Sequence, residues 1–407
     1  MTLVLLTCFF LAQGLTPEVI EHAQAGAEAQ KQGRFDVAIQ EFSKVIALQP
    51  DSASGYANLG DAYFQNRNYD AAIPALEHAL RLGPNLMGTH QTLGVILLIR
   101  GAAEEALPHL EMSRTPELLG LAYLETGRLG SAIMALRSAL ERQPDDPDLL
   151  YYFGRATGLA AKRTLDQLAG MSPDSTHKKE TTANGGRDSI QDVIRLQMAL
   201  AQRPNDPDLL SDFHQAAELA SRQSFDKIAA GSARAHQVAA ERLVEGGRLP
   251  EAEIEYGESL RLQPYASGVH FALGNVLAAE SKWSGAIAQF RAETTLRPSS
   301  AETFYGLGYA LLMLGQAHDA QVALSRADAL RPNTPETLLA LGHALFAAND
   351  AAHAEESWMK LLAVDHSGEL AAQAHFMLAA LYRKGGKSAE AEREMAAYQQ
   401  LENTGKH

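Results

Sequence analysis

Residues 301–332 read AETFYGLGYALLMLGQAHDAQVALSRADALRP, and their pattern decides the fold. Leu307-Gly308 is followed by Leu311, Ala320, Leu324, Ala327 and Pro332. The same series opens earlier at Leu273-Gly274, with Leu277, Ala286, Phe290 and Pro298. It opens later at Leu341-Gly342, with Leu345, Ala354, Trp358 and Leu361. Near the amino end Leu59-Gly60 leads to Tyr63, Ala72, Leu76, Ala79 and Pro84. The prolines Pro50 and Pro84, then Pro264, Pro298 and Pro332, fall 34 residues apart within each run, and His366 holds the next place. Pro74 and Pro108 keep the same interval.

Apolar residues at helical spacing predict two amphipathic helices per repeat. Gly60, Ala72 and Ala79 are small enough for those helices to approach closely, while Tyr63, Leu76 and Phe290 fill the space between repeats. The proline ends the second helix, because it lacks an amide hydrogen and clashes with the preceding turn. Short signals start the next one: Thr16-Pro17-Glu18, Thr115-Pro116-Glu117, Asp146-Pro147-Asp148, Asp206-Pro207-Asp208 and Thr334-Pro335-Glu336 each supply a cap, a first-turn proline and an acid.

The middle of the chain departs from this period in an orderly way. Pro84, Pro144, Pro204 and Pro264 are spaced by 60, so 87–266 reads as three copies of a larger repeat, each a 26-residue piece followed by a 34-residue piece. Phe153 matches Phe213, Leu159 matches Leu219 and Asp166 matches Asp226. The short pieces are expected to be hairpins whose second helix has lost about two turns. One full piece is degenerate: 175–186 carries no apolar helix face, whereas Ile194, Leu196 and Ala199 restore the pattern. A loop or hinge is expected there, with a poorly packed helix as the alternative. Leu378, Tyr382, Ala391, Met395 and Tyr398 form a last repeat after a small insertion near 367–370, and its Glu390, Glu392, Arg393, Glu394, Gln399 and Gln400 are expected to face outward as a polar cap.

The period and these residues resemble the tetratricopeptide repeat (TPR) across 16–401. The resemblance implies an all-α chain coiled as a right-handed α-α superhelix, a TPR solenoid of bacterial type, whose first helices line a concave groove. The chain then divides into an amino-terminal segment 1–14, a lobe 15–172, the degenerate stretch 173–190 and a second lobe 191–407. By register, the groove of the second lobe receives Phe271, Asn275, Tyr305, Tyr309, Leu339, His343 and Phe346. TPR proteins that clamp a carboxylate place Lys and Asn at the start of the groove; Ala23, Ala27, Ala57 and Asp61 stand there, so that clamp is not expected. The aromatic and apolar strip suits a protein or peptide ligand held through hydrophobic anchors.

Composition narrows the remaining choices. A length of 407 residues at about 150 per domain would give two or three closed domains, but the repeats replace that count with about a dozen hairpins. The net charge of -14 argues against a nucleic-acid surface. The single cysteine excludes a disulfide framework within the chain and any multi-cysteine zinc site. No apolar run reaches the ~20 residues of a membrane span. Leu3 to Ala12 followed by Gln13-Gly14 reads as a signal peptide cleaved before Leu15, although no Lys or Arg precedes it; a buried first helix is the alternative. The protein is thus expected to be periplasmic or extracellular, or cytoplasmic if that segment is retained.

No phosphate loop, zinc-binding His-Glu-x-x-His helix or Gly-x-Ser-x-Gly elbow is present. Neither a cofactor nor a metal is expected, and no residue is assigned a catalytic role. His236, His270 and His375 share one repeat position, where they read as substitutes for a bulky packing residue. The expectation is a non-enzymatic scaffold that binds a protein or peptide and supports complex assembly. The alternatives are an accessory subunit of an envelope secretion, pilus or polysaccharide-export apparatus, or the solenoid partner of a separately encoded enzyme.

Overall fold

The computed structural model describes residues 16–171 and 189–404. The expected signal peptide and the loop of the degenerate repeat therefore lie outside the described residues, as does most of the 173–190 lobe boundary. The described residues group into two compact units, one ending at Ile228 and one beginning at Ala229. All regular structure among them is helical.

The first unit opens with four hairpins: α1 (Pro17–Lys31) with α2 (Phe35–Leu48), α3 (Ala53–Gln65) with α4 (Tyr69–Leu82), α5 (Met87–Ile99) with α6 (Ala103–Ser113), and α7 (Pro116–Glu125) with α8 (Leu129–Leu140). Three single helices follow: α9 (Pro147–Ala169), α10 (Ser189–Gln202) and α11 (Pro207–Lys227). The second unit holds five hairpins, α12 (Ala233–Glu245) with α13 (Leu249–Leu262), α14 (Val269–Ala279) with α15 (Trp283–Leu296), α16 (Ala301–Met313) with α17 (Ala317–Leu330), α18 (Pro335–Ala347) with α19 (Ala351–Val364), and α20 (Glu369–Lys384) with α21 (Ser388–Thr404). Pro74 and Pro108 sit inside α4 and α6, which continue through them.

All five Thr-Pro or Asp-Pro signals start a helix at the proline. Asp146 and Asp206 cap as expected, each Oδ1 accepting two backbone N–H groups. Thr16 Oγ1 accepts from Val19, whereas Thr115 and Thr334 make no side-chain cap bond. Within most hairpins a glycine of the first helix meets a large residue of the second. A Cβ built on Gly60 would lie 2.5 Å from Leu76, and one on Gly274 2.6 Å from Phe290. Gly342 meets Trp358, one of the largest fully buried side chains. Adjacent hairpins share this core, so Phe290, Leu311, Leu324, Trp358 and Leu378 belong to one cluster in the second unit.

The short pieces correct the sequence reading. Only the first forms a hairpin, α5 and α6, and α6 has 11 residues against 14 in α2, less than one turn shorter. The other two are the unbroken helices α9 and α11, of 23 and 21 residues. The hairpin corners mark the difference. Gly101 turns the chain at φ 71°, and Arg67, Ser281 and Asn349 reach the same left-handed region without being glycine. Ala161 and Ser221 occupy the positions equivalent to Gly101; neither leaves the helix, and the chain runs straight on. The two long helices pack antiparallel: Ser221 Oγ donates to the Gly154 carbonyl at 2.7 Å, and His214 Nδ1 to that of Ala161 at 2.9 Å. Both flank the expected lobe boundary, and both belong to the first unit.

Candidate functional site

The first helices of the second unit carry the strip assigned from register. Phe271 and Tyr305 are half-buried, Asn275 is exposed, and Tyr309 is 40% exposed. The Tyr305 and Tyr309 rings stack with centroids 6.2 Å apart, because they stand four residues apart on one face of α16. Phe271 lies 6.0 Å from Phe290, a fully buried ring of the hairpin core, so the strip rests on a rigid base. Phe271, Asn275, Tyr305 and Tyr309 together line one pocket of about 380 Å3. Its remaining wall includes Glu302, Arg331, Thr334, Glu336 and Thr337.

The electrostatics of this pocket are uneven. Arg331 donates to Glu302 in an ion pair; burial pushes the Glu302 carboxyl up, but its own backbone N–H and then Arg331 outweigh that and hold it below its ordinary range. Burial is the first cause that pushes the Tyr305 hydroxyl up, followed by Tyr309 and the Glu336 carboxylate. Tyr305 thus remains a neutral hydroxyl through the physiological range.

The other three assigned residues gather around Trp358 instead. Leu339 is buried, and its carbonyl accepts from Trp358 Nε1 at 3.3 Å. His343 meets the indole edge-on at 5.8 Å, its Nε2 is buried without a hydrogen bond, and burial pushes its imidazole pKa down. Phe346 lies 6.0 Å from Trp358 and is covered by Lys384, whose Nζ stands 4.9 Å above the ring. Register alone could not separate a core position from a pocket position, since both face the same side of the first helix.

Two aromatic residues escaped the sequence reading. Trp283 lies edge-on to Tyr309 at 6.1 Å, although it stands at the start of a second helix. Phe376 is 47% exposed and contacts Tyr398 at 5.5 Å. It occupies the position of Phe271, Tyr305 and Leu339, shifted by the three residues inserted before α20. Counting back from Leu378-Ala379, the equivalent of Leu341-Gly342, would have found it.

The histidines read as packing residues act as hydrogen-bonding clips. His22, His236 and His375 each place Nδ1 2.6 Å from a carboxylate nineteen residues on, in Glu41, Glu255 and Glu394. Glu394, expected to face outward, turns to that clip. His270 reaches the Gln289 amide at 2.7 Å in the same way. His90 pairs with His109 at 2.8 Å, while its Nε2 donates to the Pro84 carbonyl. In the amino-terminal groove positions Ala57 is buried, and Asp61 has its carboxyl pushed up by burial, with Oδ1 unpartnered. Among the described residues, no three His, Cys, Asp or Glu side chains converge as a metal-binding group, and no helix is long and apolar enough to cross a membrane.

The tetratricopeptide repeat family model matches residues 24–86, 117–157 and 271–335, and the last stretch carries most of the pocket. Small glutamine-rich tetratricopeptide repeat-containing protein 2 of Saccharomyces cerevisiae is 29% identical over 82 residues, 20% of this chain and 24% of that protein. The match therefore spans about a quarter of the relative. A crystal structure of MamA is 22% identical over 40% of this chain and 95% of its own, with a TM-score of 0.39. MamA from Desulfovibrio magneticus RS-1, from residue 41 to its end, is 20% identical over 42% and 96%, with a TM-score of 0.40. YrrB, described as a TPR protein with an unusual peptide-binding site, is 21% identical over 42% and 87%, with a TM-score of 0.39. Those three stretches carry tetratricopeptide repeats, and the helical hairpins of each unit have the all-α fold of a TPR solenoid.

Proposed function

We propose that this chain of tetratricopeptide repeats is a non-enzymatic scaffold that docks a protein or peptide segment on its second unit and supports complex assembly. One observation carries the reading: Phe271, Asn275, Tyr305 and Tyr309, on the first helices of two successive hairpins, converge on a single pocket. Mostly apolar walls with a few placed polar groups suit recognition of side chains. Aromatic anchors on rigid helices lose little conformational freedom on binding. We further propose that 1–14 directs export and is then removed.

The docking reading is tested by Tyr305→Ala with Tyr309→Ala. Tyr309 is exposed and Tyr305 half-buried, so the helices should persist while partner capture falls about tenfold or more. Far-UV circular dichroism checks the fold, and pull-down from native lysate checks capture. Unchanged capture by a folded double variant would sink the assignment.

A further inference from the structure

We infer that the pocket on α14 and α16 receives an arginine or lysine side chain projecting from a basic segment of a protein partner. This rests on the docking reading above and names the chemistry of what docks.

Three observations point to a cation. The walls supply aromatic rings, from Phe271, Tyr305 and Tyr309, and the negative face of such a ring attracts an ammonium or guanidinium group. The rim supplies negative charge that is only half compensated. Of its two carboxylates, Glu302 is paired with Arg331, whereas Glu336 is exposed and makes no ion pair among the described residues. The protein also shows the arrangement completed elsewhere. Lys384 lies over Phe346 at 4.9 Å, and Lys387 over Tyr382 at 5.2 Å. At Tyr305 and Tyr309 no such cation stands among the described residues, and the nearby Arg331 is committed to Glu302.

Other occupants fit less well. An acidic segment would meet Glu336 directly and would have to compete for Arg331. A purely apolar segment would desolvate Glu336 and Asn275 without giving either a partner. A basic side chain lays its aliphatic stem along Phe271 and Tyr305 and brings its head to the rings and the free carboxylate. At about 380 Å3 the pocket admits one or two side chains rather than a larger body. The net charge of -14 adds long-range attraction for a basic partner.

The test selects linear peptides from a random 12-mer display library on the full chain and discards those still bound by the Tyr305→Ala, Tyr309→Ala variant. The survivors should be enriched in Arg or Lys beside apolar residues. In synthetic survivors, replacing the basic residue with Gln should weaken binding about tenfold. That loss should shrink to about twofold or less against Glu336→Gln, which tests the pairing itself. Glu336→Lys, which supplies the pocket with its own ammonium, should abolish capture. Tyrosine-dependent survivors that lack basic residues, or that carry Asp or Glu instead, would overturn the cation inference and leave the docking reading standing. If no tyrosine-dependent peptide emerges, both fall. Glu336 is an exposed first-turn residue, so its variants should keep the helical circular dichroism of the wild type.

Discussion

Glu293 stands where the equivalent residues of other repeats include Val45, Ala79, Ala327 and Leu361, all apolar. It is fully buried; its Oε1 accepts the Gly268 N–H at 2.8 Å, and its Oε2 has no partner. Burial pushes its carboxyl pKa up against the smaller opposing pull of Gly268, Arg297 and His270. A carboxyl raised in this way binds its proton more tightly folded than unfolded. Its contribution is intact below the unfolded-chain value and is lost as pH rises through the folded one. Glu293→Gln keeps an acceptor for Gly268 and removes the buried charge. It should be more stable than wild type by about 1 kcal/mol at pH ~8, and the two should converge near pH ~4. Urea denaturation at both pH values measures this, and a variant weaker than wild type at the higher pH would contradict the assignment.

Close contact between paired helices governs the hairpins as elements. At Gly60 an added Cβ would press into the Leu76 side chain, with the Leu76 backbone nitrogen 3.3 Å away. Gly60→Ala should therefore cost about 1–3 kcal/mol, read as a shift in the urea midpoint. Gly88, in the first turn of α5, has no atom within 4 Å of such a Cβ, so Gly88→Ala should be neutral or slightly stabilising. Equal destabilisation by both would show that the contact with Leu76 does not set the cost, since helix propensity favours alanine at either site. The 34-residue elements were legible because the small-to-large pairing recurs in the sequence. The long helices α9 and α11 were hidden, because apolar periodicity continues unchanged through Ala161 and Ser221. What distinguishes them is a missing corner, which residue type alone does not announce, since Ser281 turns the chain where Ser221 does not.

For the whole molecule, the testable consequence of the amino-terminal reading is its processing. If 1–14 is a signal peptide, mass spectrometry of the native protein should find Leu15 first, whereas an intact Met1 would reject export. The seven assigned strip residues show how far register reaches at this scale. It placed Phe271, Asn275, Tyr305 and Tyr309 on the face that forms the pocket, because helix position follows directly from the repeat. It also selected Leu339, which the core absorbs, and passed over Phe376, because an insertion displaces the count by three.

By itself, then, the sequence determined the all-α repeat architecture, the helix starts and the face on which the aromatic strip lies. Those features depend on interactions within a repeat or between neighbours, which a 34-residue pattern encodes directly. Only the tertiary structure decided that two short pieces are single helices, that the histidines clip paired helices, and that four of seven strip residues share one pocket. Those outcomes depend on how far each side chain sinks between packed helices, and on which residues nineteen or more positions away it meets there.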